Sequence, residues 1–155
     1  MDPLIGAVTT PFVFAFGAAV GSFINVVAYR LPAGLSLLNP PSRCPHCLHR
    51  LGKTENVPIL GWLWLKGRCR WCKAPIPINY PLIETLTSSI FCLVFWYFGF
   101  HWETVAYWGF LSWLLALTLI DLETMTLPNS LTQSGLILGL GWQIIAGILN
   151  AQVTS

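Results

Sequence analysis

Four of the five cysteines form two short pairs whose spacing is typical of a metal site. Cys44 and Cys47 form one CxxC motif, Cys69 and Cys72 form the other, and 21 residues lie between the two motifs. Each pair can place two thiolates on one side of an ion, and a tetrahedral Zn²⁺ site needs two such pairs at about 2.3 Å. The spacing therefore predicts a structural zinc site with these four cysteines as its ligands.

Disulfides and redox chemistry are the alternative interpretations of the same cysteines. Disulfides persist in oxidising compartments, whereas the charge pattern described below places this segment in the cytoplasm. The surrounding loop has few long apolar runs and little core of its own, so a closed tetracysteine site would supply folding energy. His46, inside the first pair, could replace a cysteine as a ligand but is expected to be solvated. Cys92 is expected to be a small buried residue in an apolar helix.

One carboxylate stands at the end of a long apolar run. Asp121 directly follows the uncharged stretch from Thr104 to Ile120. An ionisable side chain near membrane depth is costly and is often functional, so Asp121 is a candidate catalytic residue. The alternative is an interfacial carboxylate that merely ends a helix. Glu84, near the start of another apolar run, is expected to favour the positive end of its own helix dipole.

The elements that must position these residues are membrane helices. Of the 155 residues, 55% are hydrophobic and only 9% are charged, against roughly 25% charged in an ordinary soluble domain. Four apolar segments are each about long enough to cross a hydrocarbon core of roughly 30 Å. These segments are residues 4–28, 80–100, 104–120 and 131–149. Glycine pairs at GxxxG spacing, which let helices approach closely, occur at Gly17 and Gly21 and at Gly135 and Gly139.

The sequence thus predicts an all-α polytopic membrane protein with about four transmembrane helices and a small cytoplasmic tetracysteine loop of zinc type. The first helix is assigned to residues 1–29, the loop to residues 30–79, and the remaining helices with Asp121 to residues 80–155. All eight Lys and Arg residues lie between Arg30 and Lys73, where Glu55 is the only acid. The positive-inside rule places that loop in the cytoplasm, and alternation then places residues 121–130 on the same side.

Several separate motifs resemble one family, the bacterial type IV prepilin peptidases. The matching stretches are GSFINVV from Gly21, YRLP from Tyr29, SRCPHC from Ser42, NVPIL and GWL from Asn56, GRCRWC from Gly67, YPLIE from Tyr80, ID from Ile120 and LPN from Leu127. Their order and spacing agree with the family over roughly residues 20–132, and so many collinear motifs are far more specific than a CxxC pair.

The resemblance implies an aspartic endopeptidase of the bacterial inner membrane. Such an enzyme cuts the basic leader from type IV pilin or type II secretion pseudopilin precursors after a glycine. It also implies N-methylation of the new amino terminus with S-adenosylmethionine as the methyl donor. Asp121 would be the first of two catalytic aspartates. One ionised carboxylate deprotonates a water molecule, and the other, protonated, polarises the scissile carbonyl.

The sequence departs from the family pattern after Asp121. The family's second aspartate lies in a GxGD motif on a later helix, whereas here Glu123 is the only acid that follows Asp121. The chain therefore resembles the first half of the enzyme and is expected to be a partial sequence. The alternatives are half of a split enzyme, completed by a second chain with the GxGD motif, and a relative that has lost the protease. Methyl transfer rests on the resemblance alone, since no glycine-rich cofactor fingerprint is present.

Two interpretations without catalysis are also open. A membrane adaptor could use the basic zinc loop, with seven net positive charges, to dock a partner or anionic lipids at roughly 1 kcal/mol per charge. A nucleic-acid module is suggested by Arg and Lys interleaved with Trp62, Trp64 and Trp71. No nucleic acid is expected, because the loop is held at the bilayer at both ends and the same cations already explain the topology. A downstream GxGD segment in the genomic reading frame would favour the peptidase over the adaptor.

Overall fold

The fold was analysed from a computed structural model, which describes residues 3–39, 41–125 and 129–153. Within these ranges the helices are α1 (Pro3–Arg30), α2 (Leu60–Trp64), α3 (Asn79–Phe98), α4 (Trp102–Thr124) and α5 (Asn129–Val153). The same ranges contain no β-strand, only isolated bridges that pair Arg43 with Arg50 and Arg68 with Pro75. The prediction of an all-helical protein with a cysteine loop is therefore confirmed for the described part of the chain.

Three helices are long and apolar enough to cross a membrane. They are Leu4–Arg30 within α1, Asn79–Phe98 and Trp102–Thr124, with mean hydropathies of 1.8, 1.4 and 1.6. Large apolar side chains such as Phe12, Trp96 and Phe110 are exposed on them, as expected for surfaces that face lipid. The predicted fourth span falls on α5, several of whose side chains lie outside the described residues. Its crossing of the membrane stays a prediction.

The helix α4 runs further than the apolar pattern indicated. It continues past Ile120 to Thr124, so Asp121 lies in its last turn rather than after it. Met125, the residue that follows the helix, has a left-handed φ of 52° and donates its N–H to the carbonyl of Asp121 at 2.8 Å. The motif residues around Pro128 lie outside the described residues, and α5 begins at Asn129.

Close packing of α1 against α3 depends on two glycines. A Cβ atom on Gly17 would lie 2.7 Å from Cα of Ser88, and one on Gly21 would lie 2.8 Å from Cα of Glu84. Real Cβ atoms essentially never come so near to backbone, so only glycine allows this helix separation. Because higher numbers on α1 meet lower numbers on α3, the two helices run antiparallel.

The helix α4 returns the chain to the loop end of the bundle. Phe91 of α3 stacks on Trp108 of α4 with ring centroids 4.9 Å apart, and the Trp108 indole N–H donates to the Phe91 carbonyl at 3.0 Å. Near the end of α4, Glu123 lies within electrostatic range of the Tyr80 hydroxyl, at the start of α3. Asp121 therefore lies at the same end of the bundle as the cysteine loop.

A tetrathiolate site and its junction with the membrane helices

The two CxxC pairs adopt the same local backbone. In the first, the N–H of Leu48 donates to the carbonyl of Cys44 at 2.9 Å, and in the second the N–H of Lys73 donates to that of Cys69 at 3.1 Å. The residue that follows each pair has a left-handed backbone, with φ of 57° at Leu48 and 59° at Lys73. Each pair thus closes a tight turn, and the repeated geometry makes the two turns matching halves of one site.

The four cysteine sulfurs form one cluster, and two of their separations are close to those of a zinc tetrathiolate. Sγ of Cys44 is 3.7 Å from Sγ of Cys72, and Sγ of Cys47 is 3.9 Å from Sγ of Cys69. All four atoms lie within 4.8 Å of one another. A tetrahedron of Zn–S bonds of 2.3 Å has edges of about 3.8 Å, whereas a disulfide needs roughly 2.05 Å. The four thiols are free, and a soft sulfur set of this shape fits Zn²⁺.

Proton affinity differs sharply among these thiols. Hydrogen bonding from the backbone N–H of Cys47 is the largest effect on Cys44 and lowers its pKa to about 6. The N–H of Ala74 acts in the same direction on Cys72, but burial and the neighbouring sulfurs outweigh it and raise the pKa of Cys72 to about 12. Crowded sulfurs without a cation cannot all ionise at neutral pH. A divalent cation at the centre would remove that restriction.

A short helix that sequence patterns did not reveal supports the second cysteine pair. Trp62 of α2 donates its indole N–H to the carbonyl of Ile76 at 3.1 Å. A Cβ atom on Gly67, where φ is 67°, would lie 2.8 Å from the Trp62 ring. The indole therefore fills the space beside the turn that leads into Cys69. At five residues, α2 is too short to show a helical period in the sequence.

Glu84 joins the loop to α3. Its side chain is only 7% exposed, and its carboxylate accepts a hydrogen bond of 2.6 Å from the backbone N–H of Ile59. Ile59 has a φ of 61°, which is unfavourable for a β-branched residue, so this contact holds a strained loop residue in place. The expectation that Glu84 favours the amino terminus of its own helix is wrong: α3 begins at Asn79 with no acid in its first turn. The only feature of the sequence that indicated a partner for Glu84 was the presence of one acid in an otherwise uncharged segment.

A cavity of about 520 Å³ lies between the loop and the loop-side ends of α1 and α3. Its lining includes Asn25, Tyr29, Trp62, Tyr80 and Glu84. The amide of Asn25 donates to the carbonyl of Tyr80 at 3.3 Å and links the two helices at this level. Sequence reasoning treated these residues one by one and did not bring them together.

Asp121 lies apart from this cavity. Its side chain is exposed in the last turn of α4, and it is not among the residues that line the cavity. Nor does it join the cysteines, because the only cluster of potential metal ligands in the described part of the chain consists of Cys44, Cys47, Cys69 and Cys72. The structure thus separates the predicted metal site and the predicted catalytic carboxylate into two places at one end of the bundle.

The long apolar helices and the cysteine cluster together describe a multi-pass helical membrane protein with a tetracysteine loop. The sequence matches the Bacterial Peptidase A24 N-terminal domain over residues 15–98 and the Type IV leader peptidase family over residues 108–154. The chain belongs to this family of type IV leader peptidases, and the resemblance read from the motifs is confirmed.

Relatives with assigned names agree with the family match. The chain is 43% identical over 135 residues to a prepilin leader peptidase/N-methyltransferase of Myxococcus xanthus, covering 87% of this chain and 40% of the relative. It is 40% identical over 163 residues to one of Aeromonas hydrophila, covering 89% and 56%. It is 34% identical over 166 residues to one of Neisseria gonorrhoeae, covering 92% and 58%. The chain thus spans about half the length of these relatives. No solved structure matches it.

Proposed function

We propose that this chain provides the metal loop and the first catalytic aspartate of a prepilin leader peptidase. The enzyme would cleave the basic leader of type IV prepilin or type II secretion pseudopilin precursors after a glycine, at the cytoplasmic face of the bacterial inner membrane. The observation that carries the proposal is the collinear family match, which covers both the loop and the α4–α5 region, to relatives named prepilin leader peptidase/N-methyltransferase.

Asp121 is the residue we assign to peptide hydrolysis. As an exposed carboxylate in the last turn of a membrane helix, it can meet both water and a precursor that enters from the membrane surface. With one proton shared between two carboxylates, the ionised member would take a proton from the attacking water and the protonated member would hydrogen-bond to the scissile carbonyl. The second carboxylate would come from a segment beyond these 155 residues or from a second chain.

Methylation and zinc binding are further parts of the proposal. Zn²⁺ would be held by Cys44, Cys47, Cys69 and Cys72, where its role is to fix the fold of the loop. When bound, S-adenosylmethionine would supply a methyl group whose C–S bond breaks as the nitrogen lone pair of the new amino terminus forms the N–C bond, after which the nitrogen loses a proton. The sulfur geometry supports zinc binding, and the names of the relatives support methylation.

A chimera tests the assignment of Asp121. This chain would be joined to the carboxy-terminal part of the Myxococcus xanthus relative and expressed in a strain that lacks its own prepilin peptidase. We expect the chimera to shorten a prepilin on gels, and we expect Asp121→Asn to slow cleavage about 100- to 10,000-fold because the proton acceptor is lost. Glu123→Gln, two residues away and also exposed, is the matched control and should cleave normally.

The same experiment separates the rival hypotheses. Undiminished cleavage by the Asp121→Asn chimera would refute the catalytic role of this residue. Cleavage restored when the two parts are expressed as separate chains would show that a second chain can supply the missing aspartate. A well-inserted chimera that never cleaves prepilin would instead favour the membrane adaptor.

A further inference from the structure

The short helix α2 has two unlike faces. Its inner face packs on the loop: a Cβ atom on Gly61 would collide with the carbonyl oxygen of Glu55, and the indole of Trp62 is hydrogen-bonded within the loop. Its outer face carries three large apolar side chains, Leu60 at 58% exposed, Leu63 at 55% and Trp64 at 78%. Positions spaced i, i+3 and i+4 share one side of a helix. These three residues do not line the cavity beneath the loop, so the outer face is a separate surface.

Two hydrogen bonds fix the level of α2 relative to the membrane helices. Ile59, directly before α2, donates its backbone N–H to the Glu84 carboxylate, and Trp62 donates to the carbonyl of Ile76. Glu84 lies within the membrane-capable segment Asn79–Phe98, about 7 Å along its axis at roughly 1.5 Å per residue. Ile76 lies just before that segment. Because the interfacial layer on each side of the hydrocarbon core is roughly 5–8 Å thick, α2 lies where headgroups meet acyl chains.

Cationic side chains follow the outer face directly along the chain. Lys66 comes two residues after Trp64 and Arg68 two residues later, and both are exposed. A tryptophan ring at the headgroup level with lysine or arginine beside it is typical of a membrane–water interface. The loop as a whole carries seven net positive charges, and the cytoplasmic leaflet that the positive-inside rule assigns to it is negatively charged. The apolar face and its neighbouring cations thus complement an anionic leaflet in both polarity and charge.

We propose that α2 is an interfacial membrane anchor, whose outer face inserts into an anionic leaflet beside α3. Lys66 and Arg68 then lie level with the lipid phosphates. The inference goes beyond the proposed function, since no step of hydrolysis or methylation depends on it. The anchor gives the loop a third attachment to the membrane, besides the helices at its two ends. Because Trp62 of the same helix fills the space beside the turn that leads into Cys69, the anchor also ties the cysteine cluster to the membrane surface.

Photocross-linking to lipid tests the proposal on the full chain, in nanodiscs of equal parts phosphatidylglycerol and phosphatidylcholine. Benzoylphenylalanine replaces one residue at a time, and mass spectrometry counts the lipid adducts. With the probe in place of Trp64, we expect a yield within about 3-fold of that at Trp96, an exposed residue of the membrane helix α3. The yield at Trp64 should be about 10-fold or more above that at Trp71. Trp71 is the matched control, because it is also an exposed loop tryptophan but lies within the second CxxC turn.

The identity of the attached lipid tests the contribution of charge. Relative to phosphatidylcholine, phosphatidylglycerol should be attached about 2-fold or more often at Trp64 than at Trp96, because Lys66 and Arg68 attract anionic headgroups. Three results would overturn the proposal: adducts at Trp64 as rare as at Trp71, cross-links to a second copy of the chain in place of lipid, or no enrichment of phosphatidylglycerol. Gel filtration and circular dichroism identify any loss of fold, and the probe in place of Leu63, on the same outer face, then decides.

Discussion

At the scale of single residues, the sulfur atoms carry the strongest chemical signal. Their separations of 3.7 Å and 3.9 Å match the edges of a zinc tetrathiolate. The backbone N–H of Cys47 lowers the pKa of Cys44 to about 6, whereas burial and the neighbouring sulfurs raise the pKa of Cys72 to about 12. Four sulfurs brought together by the fold hinder one another's ionisation unless a cation balances their charge.

Removal of one thiol should remove the metal. We expect the purified protein to hold about one zinc per chain under reducing conditions. Cys44→Ser should reduce this at least several-fold, because serine oxygen is a harder ligand than cysteine sulfur and its hydroxyl is a far weaker acid than a thiol. Elemental analysis by mass spectrometry measures the ratio. Cys92→Ser, a change at a buried cysteine of α3 outside the cluster, is the control. Equal zinc in both variants would contradict the tetrathiolate site.

Residue patterns predicted the cysteine cluster but not the contact of Glu84. Ligand spacing within a CxxC pair is local, so two turns with the correct separation are visible in the sequence. The partner of Glu84 is Ile59, 25 residues earlier, and it becomes a partner only when the loop docks on α3. A single buried acid in an apolar run indicates that it has some partner, but it does not say which one.

At the scale of elements, α1 and α3 form the closest contact of the bundle. Gly17 and Gly21 lie directly against the backbone of α3, and Thr87 and Ser88 face them with hydroxyls that bond to carbonyls of their own helix. Backbone atoms cannot move aside as a flexible side chain can. This contact therefore sets the position of Glu84 and, through it, of the loop.

A methyl group added to this contact should destabilise the protein. Gly21→Ala would place a Cβ atom 2.8 Å from Cα of Glu84, and overpacking of this kind costs about 1–3 kcal/mol. Gly139→Ala is the matched control, since no described residue lies within 4 Å of a Cβ atom there. Both changes raise helix propensity equally, so the difference isolates the contact. Denaturation midpoints in detergent measure it, and equal midpoints would show that α1 does not pack on α3 through Gly21.

The lengths of the apolar segments located the long helices better than they located the contacts between them. A long apolar segment with at most one charge is itself a prediction of a membrane helix, and α1, α3 and α4 followed from that alone. The GxxxG spacing could not say which glycines touch a neighbour. Gly17 and Gly21 do, Gly135 faces the ring of Trp113, and Gly139 faces open space. Which face of a helix is buried depends on neighbours that the sequence does not name.

At the scale of the whole molecule, charge and helix direction lead to one arrangement. All cationic side chains lie between Arg30 and Lys73, and the antiparallel path of α1, α3 and α4 brings Asp121 back to the end where that loop lies. The metal site, the cavity and the proposed catalytic carboxylate then share one side of the membrane. If the proposed peptidase function holds, a substrate with a basic leader would meet all three from the side that the positive-inside rule assigns to the cytoplasm.

Accessibility of introduced cysteines in spheroplasts tests this arrangement most directly. With a maleimide that cannot cross membranes, we expect Lys53→Cys and Glu123→Cys to react only after permeabilisation, and Glu103→Cys at the opposite end of α4 to react in intact spheroplasts. The parent chain, whose exposed Cys47 and Cys72 belong to the loop, should not be labelled in intact spheroplasts. Labelling of Lys53→Cys from outside, or of Lys53→Cys and Glu123→Cys from opposite sides, would contradict the account.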